Sequence, residues 1–143
     1  MARPTYQSKE HKSAQQETIR LVSEKTGVMF FETPDYYVVD YCAYKDDVFV
    51  GWVEVKNRNY NSTDFDTFII SVHKLVDGCQ LRDYTRKNFI LVVRWKDKIG
   101  KLVITGLTNY KIAMKGRKDR NDEQDMEPCF EIPVCEFQVI MTL

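Results

Sequence analysis

Two neighbouring β-rich segments constrain the fold of this chain more than any other feature of its sequence. They span Tyr37–Tyr44 and Val48–Lys56, are rich in Val, Tyr and Phe, and are separated only by KDD (45–47). This pattern predicts a β-hairpin with a three-residue loop. Because side chains alternate along a strand, Glu54 and Lys56 share one face. We expect this face to carry Val48, Val50 and Trp52 as well, and the opposite face to carry Phe49, Gly51, Val53 and Val55.

The register of the hairpin decides whether a second acid joins these two charged residues. With a three-residue loop, Tyr44 opposes Val48, and Asp40 falls opposite Trp52. Asp40 then points to the same side as Glu54, one diagonal step away, at a Cβ separation of roughly 7–8 Å. A loop with an even number of residues would send Asp40 to the other face, and the two acids would not meet.

An acid from each strand and one amine on the same face suggest a cation site. Two carboxylates at this separation can hold a divalent ion between them, and such oxygen ligands suit Mg²⁺ or Mn²⁺. Lys56 would offer its charge to a phosphate oxygen or to an attacking water. The alternative is a solvent-facing side with a cross-strand salt bridge. The flanking residues are apolar and aromatic, however, and burying an unpaired charge is costly.

The remaining sequence predicts the elements around this hairpin. An apolar stripe followed by Gly27 predicts a helix over Ser8–Lys25. Apolar residues at i, i+4, i+7 and i+11, counted from Phe68, predict a second helix over Asp66–Tyr84. Further strands are expected in three mostly apolar stretches: Asn88–Trp95, Lys101–Leu107 and, as two short strands, CFEIPVCEFQVIMTL (129–143). The order predicts one α/β domain, residues 1–143, with a mixed sheet.

The charge balance excludes a uniformly basic nucleic-acid coat, because 21 Lys and Arg residues equal 21 Asp and Glu residues. Any site for a polyanion must therefore be local. The segment NYKIAMKGRKDR (109–120) holds five basic residues against one acidic residue. Two interpretations of it stay open: a solvated loop of mixed charge, or an arm that contacts phosphates.

The sequence has no apolar run of membrane-spanning length and no apolar core of a secretory signal. We therefore expect an intracellular, cytoplasmic location. The cysteines have neither CxxC spacing nor the density of a disulfide scaffold, and with two histidines they are too few for a zinc cluster. Ordinary buried thiols are expected at all four positions: Cys42, Cys79, Cys129 and Cys135.

Asp40, a hairpin, Glu54-Val55-Lys56 and a following helix together resemble the PD-(D/E)XK nuclease superfamily. The resemblance covers about half of the chain. It implies a restriction-endonuclease-like core, a central mixed β-sheet flanked by helices in the order αβββαβ. It also implies that Asp40, Glu54 and the Val55 carbonyl bind Mg²⁺, for which Mn²⁺ would substitute, and that Lys56 is the catalytic lysine. A first-helix glutamate often contributes in this superfamily, and Glu17 is its match here.

Two further patterns point to different branches of the superfamily. Gln80 and Tyr84 form a Q-x-x-x-Y pattern similar to that of the RecB and lambda-exonuclease branch. Ser71 and Lys74 would instead face the site if the chain is like the Holliday-junction-resolvase branch. Pro34-Asp35 is a literal PD, but it lies ahead of the strand, and we interpret Asp35 as a turn residue.

The resemblance implies a metal-dependent nuclease that hydrolyses DNA phosphodiester bonds. Structure-specific or end-processing action in DNA repair or recombination is expected, because the chain is small for a separate recognition domain. A phage or mobile-element origin is expected by analogy. The alternatives are a catalytically inactive nucleic-acid-binding module and a protein-interaction module with the same fold. DNA or RNA, endo- or exonuclease action, and monomer or homodimer stay open. Six basic residues are candidates for backbone contacts: Arg82, Arg86, Lys111, Lys115, Arg117 and Lys118.

Overall fold

The computed structural model describes residues 9–115 and 126–143. Two helices of this part, α1 and α2, span Lys9–Thr26 and Val72–Thr85. The strands are β1 (Met29–Glu32), β2 (Tyr41–Lys45), β3 (Val48–Asn57), β4 (Thr67–Ser71), β5 (Asn88–Arg94), β6 (Lys98–Val103), β7 (Lys111–Lys115), β8 (Glu127–Pro133) and β9 (Gln138–Thr142). From α1 to β5 the order is that of the predicted αβββαβ core, with β4 inserted before the second helix.

The main sheet has six strands in the order β1-β2-β3-β5-β6-β9. β3 and β5 run parallel, and the other neighbouring pairs are antiparallel, so the prediction of a mixed sheet is confirmed. The crossover that joins the parallel pair contains β4 and α2, as parallel strands require a long connection. A second, antiparallel sheet has the order β4-β8-β7.

The hairpin loop is shorter than predicted. Lys45 pairs with Val48, so the loop has two residues, Asp46 and Asp47. Both have positive φ angles, 51° and 64°, as a type I′ hairpin turn requires, and Asp tolerates this conformation. The prediction of a three-residue loop is therefore wrong, and an even loop alone would separate the two acids.

A β-bulge restores the register that the site needs. The pairing of β2 with β3 shifts by one residue, which leaves Val50 as the extra residue of β3. Since Tyr41 then pairs with Val53, the preceding residue, Asp40, comes level with Glu54. Without the bulge, Asp40 would oppose Val53 and lie on the other face.

The main sheet is buried on both faces. Val53 and Val55 face α1 and belong to one hydrophobic cluster with it. The other face packs against α2 and the second sheet, and its buried side chains include Phe68, Leu75, Phe89, Leu91, Trp95 and Phe130. Because of the bulge, Phe49 and Val50 lie on faces opposite to those predicted: Val50 packs with the α1 cluster, whereas the Phe49 ring centroid is 5.0 Å from that of Trp52.

The second helix begins six residues later than predicted, at Val72, because Thr67–Ser71 forms β4. This stretch alternates with period two: Phe68 and Ile70 are buried, and their neighbours are less so. Its partner, β8, is far away in the sequence. Within α2, Gly78 leaves room for the Phe89 ring, since a Cβ at Gly78 would lie 2.2 Å from that ring.

The other elements differ from prediction mainly at their ends or by omission. β1 was not predicted, β6 spans Lys98–Val103 instead of Lys101–Leu107, and the segment read as a loop or arm contains β7. Two C-terminal strands are present as expected, β8 and β9. Cys79 and Cys129 are buried thiols, whereas Cys42 is half-buried and Cys135 is exposed, contrary to expectation. Neither helix of the described ranges is long and apolar enough for a membrane crossing.

Candidate active site

Asp40 and Glu54 meet where β2 begins. The backbone N–H of Asp40 donates to the Val53 carbonyl at 3.0 Å, and Asp40 Oδ2 accepts a hydrogen bond from the N–H of Val55 at 2.8 Å. These two contacts fix both the main chain and the carboxylate of Asp40 against β3. Its carboxylate is close enough to Glu54 to raise the pKa of that residue. The two acids share a face as predicted, but Asp40 lies opposite Glu54 and not opposite Trp52, because Trp52 pairs with Cys42.

Glu54 is an almost fully buried acid, with 1% of its surface exposed. Burial raises its pKa to about 7; the Asp40 carboxylate also raises it, whereas the charges of Lys56 and Lys74 lower it. In the described part of the chain, Glu54 Oε1 has no hydrogen-bond partner. A buried, unsatisfied carboxylate oxygen is costly for folding. Such an atom at the centre of a charged cluster is typical of a functional site.

Two lysines accompany the acids. Lys56 Nζ lies 3.5 Å from Glu54 Oε2, and about a quarter of the Lys56 side chain is exposed. Lys74, in the first turn of α2, contributes a second positive charge, which acts on the same carboxyl. Two accessory pairs were predicted, Gln80 with Tyr84 and Ser71 with Lys74. Of these four residues, Lys74 is the one whose charge acts on Glu54.

Helix α1 reaches the site through Gln15. Gln15 Nε2 donates to the Val55 carbonyl at 3.3 Å, which is the carbonyl that the resemblance assigns to the metal. Glu17 does not approach this point: both of its oxygens bond the Arg20 guanidinium, at 2.6 and 3.0 Å, and its side chain is about half exposed. The i, i+3, i+6 spacing of Lys9, Lys12 and Gln15 would have placed these three on one helical face, a signal that was available in the sequence.

A cleft of about 410 Å³ opens beside Asp40. Its lining comes from four parts of the chain: the start of α1, the segment after β1, the start of β2, and α2. The residues are Lys9, Lys12, Gln15, Glu32, Thr33, Pro34, Asp35, Tyr36, Tyr37, Val39, Asp40, Tyr41 and Lys74. Asp40 is thus accessible from the cleft, while Glu54 lies buried next to it.

Ser71 is the last residue of β4, in the second sheet, and directly precedes α2. Its hydroxyl donates a short hydrogen bond to Glu127 Oε1, and Glu127 Oε2 lies 3.6 Å from His73 Nδ1. Glu127 starts β8, 56 residues after Ser71. No local sequence signal points to this contact, which joins the start of α2 to the second sheet.

The remaining α2 predictions lie away from the cleft. Gln80 is exposed, and Tyr84 is 91% exposed; neither lines the cleft. The Arg82 guanidinium donates to the Ile104 carbonyl at 2.6 Å, a structural contact. Arg86 ends α2 with a left-handed φ of 59°, and its N–H bonds the Arg82 carbonyl.

The predicted basic arm is only partly described. Lys111 and Lys115 are exposed on β7, and Lys115 Nζ lies 3.9 Å from Glu131 Oε1. Arg117 and Lys118 lie outside the described residues. Neither described lysine lines the cleft, whose basic lining residues are Lys9, Lys12 and Lys74.

The residues present fit a hard divalent cation. Two carboxylates converge, and one of their oxygens is buried without a hydrogen-bond partner in the described part of the chain. The adjacent Val55 carbonyl has a second lone pair besides the one Gln15 uses. Within residues 9–115 and 126–143, no group of three or more His, Cys, Asp or Glu side chains is arranged for metal binding. Main-chain and water oxygens would therefore complete the coordination.

The fold is similar to that of Hjc, a Holliday junction resolvase from the archaeal hyperthermophile Archaeoglobus fulgidus. The TM-score is 0.54 at 10% sequence identity, and the match covers 82% of this chain and 86% of that one. No curated protein matches the chain by sequence. The structural likeness confirms the predicted restriction-endonuclease-like fold.

A comparison of nearly the whole sequence with known families identifies the family of this chain. Residues 1–140 match the family described as "Phage putative PDDEXK endonuclease". The chain belongs to this phage family of the PD-(D/E)XK nuclease superfamily, and the resemblance drawn from Asp40 and Glu54-Val55-Lys56 is confirmed.

Proposed function

We propose that the protein is a metal-dependent endonuclease that cuts DNA at the Asp40–Glu54 site. The observation that carries the proposal is the state of Glu54: it is buried, one of its oxygens has no hydrogen-bond partner among the residues that the structure describes, and it lies beside a second carboxylate and a lysine. Such a costly arrangement is difficult to explain as a structural ion pair, since Lys56 contacts only one of the two Glu54 oxygens.

Asp40, Glu54 and the Val55 carbonyl would hold the cation. Mg²⁺, or Mn²⁺ in its place, would lower the pKa of a bound water and neutralise charge on the phosphate. Asp40 is already held in position by the Val55 N–H. Gln15 of α1 donates to the Val55 carbonyl and would orient it. The resemblance implied Glu17 as a further ligand; because its carboxylate pairs with Arg20, we propose Gln15, and not Glu17, as the α1 residue of this site.

Two lysines, Lys56 and Lys74, would supply positive charge to the reacting phosphate and water. Lys56, next to Glu54, would orient the attacking water or stabilise negative charge in the transition state. Lys74 borders the cleft and would bind a phosphate oxygen of the strand being cut. Ser71 keeps a supporting role, because its hydroxyl links the start of α2 to β8.

We infer a substrate recognised by shape and not by base sequence. The similar solved protein is by name a Holliday junction resolvase. This supports structure-specific cutting of DNA in repair or recombination, and the family name supports a phage setting.

Cutting both strands of a junction would call for a homodimer. An intracellular, cytoplasmic location and a single domain over residues 1–143 remain predictions.

The test is cleavage of plasmid and branched DNA with Mg²⁺, Mn²⁺ or EDTA. Wild type would be compared with Glu54→Gln and Lys56→Ala. Glu24→Gln is the matched control, because Glu24 is an exposed acid paired with Arg20 on α1. We expect metal-dependent cleavage by wild type and by the control, and its loss in both site variants. Unchanged cleavage in both site variants would exclude this site, and DNA binding with no cleavage under any metal would favour an inactive binding module.

A further inference from the structure

Tyr36 is an exposed aromatic residue at the edge of the cleft. It occupies the third position of a turn closed by the hydrogen bond from the Tyr37 N–H to the Pro34 carbonyl, 3.1 Å long. Its φ angle is 67°, a region that Gly or Asn occupies more readily at this position. Its side chain is nevertheless a large ring, 87% exposed to solvent.

The turn that carries Tyr36 is attached at both sides. Thr33 N–H donates to the Asp40 carbonyl at 3.0 Å, so the turn begins next to the catalytic acid. On the other side, Lys12 of α1 bonds Asp35 at 3.0 Å. The neighbouring ring of Tyr37 packs near Trp52, with centroids 6.0 Å apart. The position of Tyr36 relative to Asp40 is therefore set by the fold.

The chemistry around Tyr36 matches one nucleotide unit. The cleft combines the aromatic residues Tyr36 and Tyr37 with the ammonium groups of Lys9 and Lys74. A third ammonium group, that of Lys12, is paired with the carboxylates of Asp35 and Glu32. A flat base and an anionic phosphate are the two parts of a nucleotide that such groups bind. Paired bases within a duplex have both faces covered by their neighbours, so only an unpaired base could stack on a protein ring here.

We propose that Tyr36 stacks on an unpaired base beside the phosphate that is cut, and that the enzyme thereby selects DNA with an unpaired nucleotide. The inference rests on the proposed function and adds the substrate class to it. Flaps, bulges and single strands supply such a base; the interior of an intact duplex does not.

The experiment uses Tyr36→Gly and Tyr36→Phe. Glycine removes the ring and accommodates the positive φ, so the backbone of the turn is not put at risk. Phenylalanine keeps the ring and loses only the hydroxyl. Both are made in a Glu54→Gln background so that cleavage does not interfere. Binding is measured to a fully paired duplex and to the same duplex carrying one unpaired 2-aminopurine, whose fluorescence falls when it stacks.

For the parent protein and Tyr36→Phe, we expect tighter binding of the unpaired probe than of the duplex, with quenching. For Tyr36→Gly, we expect affinity for the unpaired probe to fall by about 5- to 150-fold, as for the loss of one stacked base. Its affinity for the paired duplex should not change.

Three results would overturn the inference. One is equal affinity of Tyr36→Gly and the parent protein for the unpaired probe; another is an equal loss on both probes. The third is a change from dimer to monomer in Tyr36→Gly without any loss of quenching, which would assign the ring to a contact between copies of the chain. The proposed function is tested separately, by cleavage in the Glu54 and Lys56 variants. If the Glu54 and Lys56 variants lose cleavage but Tyr36→Gly binds both probes as the parent does, the proposed function stands and the proposed substrate class is wrong.

Discussion

Replacing Glu54 by glutamine should remove activity and, without metal, stabilise the protein above neutral pH. Glu54 is buried, and burial is the largest cause that raises its pKa from an ordinary 4.5 to about 7. Near pH 6 the folded chain therefore holds a proton that the unfolded chain has released. The contribution of this group to stability is complete below about pH 4.5 and is lost as the pH rises through about 7.

The size of the effect follows from the two pKa values. At about 1.4 kcal/mol per pH unit, the difference corresponds to a loss of about 3 kcal/mol between low pH and pH 8. Glutamine has nearly the same shape and no charge to bury. Glu54→Gln should avoid most of this loss, and at pH 8 it should be more stable than wild type by up to about 3 kcal/mol.

The assay is urea denaturation in EDTA at pH values from 5 to 8, for wild type and Glu54→Gln. The difference in unfolding free energy between the two should grow with pH and level off above about pH 8. Adding Mg²⁺ at pH 8 should stabilise wild type and leave Glu54→Gln nearly unchanged, because a cation that binds only the folded state adds to its stability. Glu24→Gln serves again as the control.

A Glu54→Gln protein that is less stable than wild type at pH 8 would refute the reasoning. It would mean that the charged carboxylate is stabilised by Lys56 more than it is penalised by burial. A pH-independent difference between the two proteins would equally contradict a raised pKa for Glu54.

Four further substitutions test other contacts. Gly78→Ala should destabilise the protein by about 2 kcal/mol in urea denaturation, because its Cβ would overlap the buried Phe89 ring; unchanged stability would contradict that packing. Gln15→Ala should lower cleavage on the order of 10-fold by freeing the carbonyl it holds, whereas Glu17→Ala should leave the rate unchanged; the reverse result would restore Glu17 as the α1 contributor. Arg82→Ala should cost about 1–2 kcal/mol of stability through its lost main-chain bond, with no change in the salt dependence of DNA binding; a smaller salt dependence would make Arg82 a phosphate contact.

The chemical identity of the site could be predicted from the sequence because it depends on local order. Glu54 and Lys56 share a face through the alternation of a strand, and this holds for any partner the strand finds. The same applies to the apolar run of β5 between Asn88 and Arg94, which is buried on both sides of the sheet. These features rest on contacts between near neighbours in the chain.

The tertiary structure decided what depends on distant partners. Asp40 meets Glu54 only because an unpaired Val50 corrects the register of a two-residue loop, and nothing local to either strand shows this bulge. Thr67–Ser71 is a strand and not a helical turn because β8 pairs with it from the other end of the chain. Its β-branched residues could adopt either form, so long-range hydrogen bonds made the choice.

The electrostatic state of the site also came from the fold. In the structure, burial is the largest influence on the pKa of Glu54, and the degree of burial is not visible in the order of residues. The approach of α1, the Tyr36 turn and Lys74 around Asp40 likewise depends on three separate segments packing together. The sequence indicated that Asp40, Glu54 and Lys56 belong together, whereas packing determined how deeply these groups are buried and which surface they present, because desolvation and pocket shape exist only once distant segments meet.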